Sequence, residues 1–361
     1  MRLLVLPRYN RLGASSRLRM MQYFPCFESA GIDVTVAPLF SDAYVLGLQQ
    51  SKLNIGEIFR AYVQRVKTLF LSGKYDLIWI EKELLPWLPA EIELVLLSRR
   101  TPYALDYDDA VFHYYDLHRN LVVRSLLAAK HSKLIENSAM VVAGNTYLAD
   151  YARHAGANHV KVIPTAIDLF RYPQQSHVFE RTQSSSPCVG WVGQRATAEY
   201  LTAYTEIFQR LSSEGCATFS AIGINAQSHG LPMNSIPWSE QTEVADIAGF
   251  DIGIMPLVDD PFERGKCGYK LIQYMACGLP VVASPVGVNC QIVEHGVNGF
   301  LADTVEEWER SLKMLLADKE LRRSMGLAGR MKVEREFCIQ VTGPRLTACL
   351  KDAAMVNNTG K

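Results

Sequence analysis

The chain has 361 residues, 48% of them hydrophobic, which is enough for about two domains with sizeable cores. Its 37 basic and 37 acidic side chains balance, so a whole-protein electrostatic footprint for nucleic acid or membrane is excluded. Eight cysteines are scattered without a C-x-x-C pair, which reads as reduced core thiols in a cytoplasmic protein rather than a disulfide or zinc framework. The opening apolar run Leu3–Leu6 is too short for a signal segment, and no apolar stretch approaches the ~18 residues of a spanning helix.

Strand and helix signals alternate through the first half. Arg2–Leu6 reads as a strand, Ser15–Ala30 as a helix ended by Gly31, and Ile32–Leu39 as a strand. A long helical stretch over Tyr44–Ser72 follows, then a strand over Tyr75–Glu81, a helix over Ala90–Ser98 and a strand over Pro102–Asp106. Leu121–Asn137 is a helix, Met140–Ala143 a strand, Thr146–His154 a helix and Val160–Ile163 a strand. The pattern fails in the polar, turn-rich run 171–188, the expected linker. It restarts with strands at Val189–Val192, Thr218–Ile222 and Asp251–Pro256, and helices at Thr197–Leu211 and Gln241–Ile247. Glu294–Phe300 reads as a turn and short strand, followed by helices Val305–Leu316, Lys319–Glu336 and Pro344–Ala354. The expectation is an α/β protein of two Rossmann-like domains facing a cleft, residues 1–170 and 189–343, with the C-terminal helix 344–361 packed back on the first.

The most informative stretch is Arg264–Ser284. Gly265 and Gly268 loosen the backbone where a helix begins, Leu271, Ile272, Met275 and Ala276 keep helical spacing, Gly278 and Pro280 end it, and Val281–Ala283 is a buried strand. A helix start with Lys266 and Lys270 beside it suits a phosphate or diphosphate. Gly13 with Arg17, after the first strand, and Gly193 with Arg195, after Val189–Val192, are two further strand-to-helix turns suited to an anion, or ordinary turns with surface arginines. Ser284–Asn289, with Gly287 and Val288, ends a strand with backbone N–H groups available to a diphosphate; a plain turn is the alternative. Asp106, Asp108 and Asp109 crowd the carboxyl end of a strand, where carboxylates are costly unless solvated, paired or used. Proton transfer, stabilisation of a cationic sugar, a metal-binding use and a helix-capping turn are the readings open for them. Glu263 lies in an acidic loop that could meet sugar hydroxyls or simply be solvated.

Together these residues resemble the family 4 (group 1) glycosyltransferases of the GT-B fold. The resemblance is carried by Tyr274-Met275-Ala276-Cys277-Gly278-Leu279-Pro280-Val281-Val282-Ala283-Ser284, then Gly287, Glu294–Leu301 and Arg335-Glu336-Phe337, and more loosely by Gly13–Arg19, Asp106–Asp109 and Val141–Asn145. It implies a retaining, metal-independent hexosyltransferase with no cofactor. The donor would be a UDP-, GDP- or dTDP-sugar and the acceptor a glycan or lipid-linked molecule in surface polysaccharide or glycolipid synthesis. It implies a cytoplasmic site of action and no nucleic-acid partner, and the mixed apolar and basic stretch 44–72 either meets the membrane of a lipid-linked acceptor at its inner face or packs against the first domain as an ordinary helical element. By the same resemblance Gly13, Arg17, Gly193, Arg195, Lys266 and Lys270 bind the diphosphate. Gly268, Tyr269, Gln273, Gly287 and Val288 meet the ribose and sugar, and Asp106, Asp108, Asp109 and Glu263 are the catalytic group. One departure stands out: the family's E-x7-E motif has Gly265 and Gln273 at its two glutamate positions. A non-catalytic nucleotide- or glycan-binding homologue is therefore the alternative, with another GT-B reaction such as epimerisation as a third.

Overall fold

A computed structural model of the chain describes residues 1–49, 52, 54–97, 101–172 and 186–355. It divides into two compact units. The first comprises Met1–Ala166, the tripeptide Gly265–Cys267 and the segment from Ile339; the second comprises Ile167–Arg264 and Gly268–Cys338. Most of the expected linker, 173–185, lies outside the described residues, as does 356–361.

The first unit is built on a parallel six-stranded sheet. Its strands are β1 (Arg2–Leu6), β2 (Asp33–Val36), β3 (Leu77–Glu81), β4 (Tyr103–Tyr107), β5 (Met140–Ala143) and β6 (Val160–Val162), in the order β2-β1-β3-β4-β5-β6. Both faces of the inner strands are covered, which is why β1, β3, β4 and β5 are almost wholly apolar. Leu4, Leu6, Ile78, Ile80 and Leu105 pack against helix residues Leu69, Leu97, Leu134 and Leu148. The alternate residues Leu3, Val5, Leu77 and Trp79 pack against Tyr23, Phe27, Leu346 and Leu350. The last two belong to the C-terminal helix Ile339–Met355, which is tied to this unit by Tyr23 Oη–Thr342 Oγ1 (2.9 Å) and Lys351 Nζ to the Ala30 carbonyl (2.9 Å).

The second unit repeats the plan with β7 (Cys188–Val192), β8 (Thr218–Ile222), β9 (Asn234–Ile236), β10 (Ile252–Met255), β11 (Val281–Ala283) and β12 (Gly299–Leu301). The parallel order is β12-β11-β10-β7-β8-β9. In both sheets the strand order reverses beside the first strand, so the carboxyl ends around β1 and β7 are where ligands bind in such folds.

Several elements depart from expectation. The segment expected as a helix over Ser15–Ala30 is a π-helical turn, Ser16–Met20, a 3₁₀ turn and a short helix, Phe24–Ser29, with Pro25 in its first turn. Proline has no N–H to continue an earlier helix, and Ser16 and Arg19 turn inward to polar partners. The stretch 44–72 is two helices, Asp42–Gln49 and Ile55–Phe70, the second started by Asn54, whose side chain accepts from Gly56 N (3.0 Å) and Glu57 N (3.3 Å). Leu121–Asn137 divides into Leu121–Leu127 and Lys130–Glu136. Strand β9 has no apolar alternation because it is a short sheet edge with exposed side chains, and the final helix starts at Ile339 and carries Pro344 inside it.

Candidate functional site

At the carboxyl ends of β3 and β4 the first unit concentrates charge. Residue Glu81 of β3 is in register with Asp106 of β4, so Lys82 and the 107–109 turn emerge side by side. Lys82 Nζ lies 2.8 Å from Asp108 Oδ1, 3.7 Å from Asp109 Oδ2 and 3.3 Å from Ser15 Oγ, with its side chain 7% exposed. Ser15 also donates to Asp108 Oδ2. Lys82 adopts φ +63°, a left-handed conformation that costs a non-glycine residue on the order of 1 kcal/mol or more and persists only where surroundings enforce it. Lys266, from the tripeptide Gly265–Cys267, stands 3.7 Å from Asp109 Oδ1. Asn145, which caps the helix Thr146–His154 through Leu148 N, uses its amide to donate to the carbonyls of Gly265 and Lys266 (2.9 Å each). The tripeptide is thereby fixed, with the Cys267 thiol donating to the Asp108 carbonyl (3.2 Å).

The two neighbouring carboxylates differ. Burial would raise Asp108, but the Lys82 ammonium and the Lys82 and Ser15 hydrogen bonds outweigh it and hold the group below its ordinary range. Burial raises Asp109, more than Lys82 and Lys266 offset, and the charge of Asp108 adds to the rise. One carboxylate is thus kept ionised beside one that accepts a proton more readily.

Asp106 sits apart from this pair. It is 1% exposed and bound by both arms of Arg19, Nε to Oδ1 at 2.8 Å and Nη2 to Oδ2 at 3.2 Å, while Arg19 Nη1 donates to the Ile163 carbonyl (2.8 Å). Burial pushes Asp106 up to about 6 against the pull of Arg19. The expectation that it faces a substrate is corrected: both oxygens are used to hold the π-helical turn onto β4. Arg17 is corrected likewise. All five residues of that turn are buried, and Arg17 Nη1 donates inward to the Arg11 carbonyl (2.9 Å). Gly13 is needed for local packing, since a Cβ there would lie 2.4 Å from the Tyr9 Cβ.

In the second unit the turn after β7 and the start of the helix Tyr269–Ala276 come together. Lys270 Nζ lies 4.4 Å from the centre of the Trp191 ring and 3.3 Å from Thr197 Oγ1. A Cβ on Gly193 would fall 2.4 Å from that indole and 2.8 Å from Lys270 Nζ, so only glycine leaves the ammonium its place. Gly268 caps the helix at φ +63°, where a Cβ would meet Ile292 at 2.3 Å and Val288 at 3.2 Å; no acid occupies the first turn, and Tyr269 opens it half-buried. Gly287, at φ +54°, passes so close to Arg264 that a Cβ would lie 2.6 Å from its carbonyl oxygen. The N–H groups of Gly287 and Val288 find no acceptor among the described residues. Ser284 Oγ accepts from Leu257 N (3.0 Å) and Asn289 Nδ2 donates to the Ser284 carbonyl (3.0 Å), bracing this turn. Arg195 is exposed in the short helix Arg195–Ala198 and makes no ion pair among the described residues.

Two predicted members lie deeper. Glu263 is buried, with Oε1 accepting from Tyr200 Oη at 3.0 Å. Gln273 is 2% exposed and donates to Tyr172 Oη at 3.2 Å, whose carbonyl receives Arg330 Nη1 at 2.7 Å. The Gln273 amide nitrogen anchors Tyr172. Lys266 stands on Asp109 and groups with the first unit, whereas Lys270 belongs to the second. Sequence reasoning missed Lys82, Ser15 as a partner of Asp108, and Trp191 beneath Lys270. The signal for Lys82 was its place directly after a strand, and for Trp191 its place two residues before Gly193. Among the described residues no group of three or more His, Cys, Asp or Glu is arranged to hold a metal ion.

Comparison with known proteins bears on the second unit most directly. Residues 243–318, which include Gly268, Lys270, Gly287 and Val288, match the family of group 1 glycosyl transferases. A D-inositol 3-phosphate glycosyltransferase of Segniliparus rotundus is 29% identical over 255 residues, 65% of this chain and 55% of that one. The matched stretches span between 20% and 55% of the lengths of the curated relatives. Sucrose-phosphate synthase from Thermosynechococcus elongatus has the same fold, with a TM-score of 0.73 at 16% identity over 97% of this chain and 98% of that one. Anabaena HepE, solved in complex with UDP-glucose, gives a TM-score of 0.73 at 16% identity over 97% and 99% of the two chains. The two parallel sheets are those of the GT-B glycosyltransferase structures, and residues 243–318 are similar to the group 1 glycosyl transferase family.

Proposed function

We propose that the protein moves a sugar from a nucleotide-diphosphate sugar to a hydroxyl of a glycan or lipid-linked acceptor, with retention of anomeric configuration and without a metal ion. The observation that carries this reading is the anion cradle of the second unit: Lys270 on Trp191 beside Gly193, with the unaccepted N–H groups of Gly287 and Val288, largely within the matched segment. A diphosphate needs a fixed cation and oriented N–H groups, and this is what the cradle supplies. That HepE was solved with UDP-glucose supports a uridine donor over GDP or dTDP.

In this reading the bond from the sugar's anomeric carbon to the diphosphate oxygen breaks as the acceptor oxygen bonds to the same face. The acceptor proton passes to the departing diphosphate. Lys270 and Arg195 neutralise the leaving group, which is where stabilisation counts most. Asp108 and Asp109, set by Lys82, take the acceptor hydroxyls, and Glu263 with Tyr200 takes sugar hydroxyls. Asp106 holds the scaffold. Eight free thiols agree with a reducing, cytoplasmic site of action in polysaccharide or glycolipid synthesis.

The test is a panel of UDP-, GDP- and dTDP-sugars, read by thermal shift and by release of nucleoside diphosphate. Stabilisation by UDP-sugars with release is the expected result. Lys270→Ala should weaken UDP binding roughly tenfold or more, the worth of one hydrogen bond to a charged group; an unchanged affinity would refute the cradle. The second reading, a binding homologue without catalysis, is favoured by Gly265 and Gln273 at the two glutamate positions. Binding without release, with lipid-linked acceptors present, would decide for it.

A further inference from the structure

The connection that follows β3 holds a single indole at the surface. Residues 81–86 are all buried. Leu84 N and Leu85 N donate to the Glu93 carboxylate (2.9 and 3.0 Å), the Leu85 carbonyl accepts from Lys130 Nζ (2.7 Å), and the Pro86 carbonyl accepts from Tyr62 Oη (2.6 Å). Glu83 pairs with the same Lys130 (2.7 Å) and accepts from Tyr115 Oη (2.9 Å). The next residue, Trp87, donates its N–H to that Tyr115 oxygen (3.0 Å) and is 53% exposed. Trp87 adopts φ +63°, as Lys82 does. Among the described residues these two are the non-glycine positions at positive φ, and both belong to this connection. Glycine is the ordinary occupant of that conformation. A well-anchored segment that keeps an indole where glycine would sit without strain points to a use for the ring.

The Tyr115 and His118 rings meet the indole nearly at right angles, 84° at 5.2 Å and 80° at 6.0 Å, and among the described residues no ring stacks flat on it. A second exposed ring belongs to Tyr114, the neighbour of Tyr115 on the short helix His113–Asp116, which is 50% exposed. Burial raises the Tyr114 phenol, Asp109 adds to the rise, and Lys266, Lys82 and Arg8 oppose it, so the ring stands among the charges of the carboxylate pair. Arg8, just past β1, lies 3.5 Å from Glu83 with 20% of its side chain exposed. Both rings thus flank the strand ends from which Asp108 and Asp109 emerge.

We propose that Tyr114 and Trp87 form a stacking platform for an acceptor of two or more sugar units. The unit whose hydroxyl reacts is held by Asp108 and Asp109. The units behind it lay their C–H faces on the two rings, and Arg8 meets their hydroxyls. A pyranose has an apolar face and a polar rim, and exposed aromatic rings set among carboxylates and an arginine match both. A lipid surface is the poorer match, because Asp109 and Asp116 stand partly exposed on the same turn and helix as Tyr114. The platform deepens the transfer reading and rests on it for the reacting end: it makes the acceptor a saccharide chain. Its binding is measured without any transfer.

The experiment titrates the full chain, by calorimetry and by tryptophan fluorescence, with glucose, galactose and N-acetylglucosamine, each as the monosaccharide and as its β-linked disaccharide and trisaccharide. In at least one series the disaccharide should bind roughly tenfold tighter than the monosaccharide, with a shift in emission, at the usual worth of one aromatic anchor. Trp87→Gly keeps the backbone bond to Tyr115 and removes the strain at positive φ, so it should melt close to the parent yet lose that preference. Trp87→Phe keeps a ring and should retain most of it. Tyr114→Ala, away from the strained residue, should weaken the trisaccharide several-fold and reads the platform independently. Saccharides of every length binding alike or not at all, a Trp87→Gly chain that binds the disaccharide as the parent does, or an emission shift with phosphatidylglycerol vesicles in place of sugars would each overturn the proposal. Release of nucleoside diphosphate without any chain-length preference refutes the platform alone. Saccharide binding at Trp87 without release refutes the transfer reading alone.

Discussion

Replacing Lys82 by methionine keeps its bulk and removes its charge, and it tests how the first unit holds its carboxylates. The ammonium lies 2.8 Å from Asp108 and 3.7 Å from Asp109 with a side chain 7% exposed, so no water can take its place cheaply. Stripping one partner from a buried ion pair costs ~3–5 kcal/mol, because the remaining charge is left without compensation. The cost depends on pH, and its sign follows from the two states. In the parent, Asp108 titrates below its unfolded value, so its contribution is present above that value and lost as pH falls through the folded one. In the variant the same carboxyl titrates above its unfolded value, so the folded state gains by binding a proton as pH falls. The gap between parent and variant is therefore widest near neutrality and narrows on acidification. Urea unfolding followed by circular dichroism at about pH 8 and about pH 5 measures it, with a difference of ~3 kcal/mol or more at the higher pH. Because Lys82 lies in the first unit and Lys270 in the second, UDP affinity should hold while turnover falls. A gap under ~1 kcal/mol, or one equal at both pH values, would refute the assigned pairing.

The buried His131, whose Nδ1 lies 2.8 Å from Tyr107 Oη, is lowered by burial to about 4. Its unfolded form takes up the proton first, so stability falls by about 3 kcal/mol between pH 6.5 and 4, and His131→Gln should show a shallower acid limb in thermal melts. Gly193→Ala sets a Cβ 2.8 Å from Lys270 Nζ and 2.4 Å from the Trp191 ring, so it should weaken UDP binding about tenfold by calorimetry; wild-type affinity would show that Lys270 is not the diphosphate cation.

The fold was legible because the inner strands are apolar on both sides and most crossovers are long enough to form a helix. Leu3-Leu4-Val5-Leu6 cannot be half-buried, and only a covered parallel sheet accepts it. The glycine turns of the second unit were legible for a similar reason: Gly193, Gly268 and Gly287 stand beside strand ends or a helix start, where backbone must pass close to something. The charged cluster of the first unit was harder. Asp106, Asp108 and Asp109 look alike in sequence, and what separates them is Arg19 for one and Lys82 for the others. Lys82 meets them only because β3 and β4 are neighbours in register, a pairing that local sequence does not contain. Arg17 and Arg19 are equally opaque. A regular helix would turn one of them outward, but the π-helical turn buries both.

Gly265 shows why this chain departs from the family pattern where it does. The tripeptide Gly265–Cys267 is held by Asn145 through two carbonyls, and that seat brings the Gly265 Cα against Ala110: a Cβ would lie 2.5 Å from the Ala110 Cβ and 2.7 Å from its backbone nitrogen. The second of these is main chain and cannot swing aside. No glutamate fits at 265 unless the 108–111 turn moves, and that turn carries Asp108 and Asp109. Holding the carboxylate pair in place and placing a glutamate at 265 are therefore alternatives, and this chain has the first. Restoring the motif tests the point. Gly265→Glu should lower the melting temperature and reduce turnover rather than raise it, whereas Gln273→Glu, which leaves the tripeptide alone, should act only through Tyr172 and leave Asp108 and Asp109 undisturbed. A Gly265→Glu variant that melts like the parent and transfers faster would mean that the turn yields, and that the carboxylate pair is not the constraint.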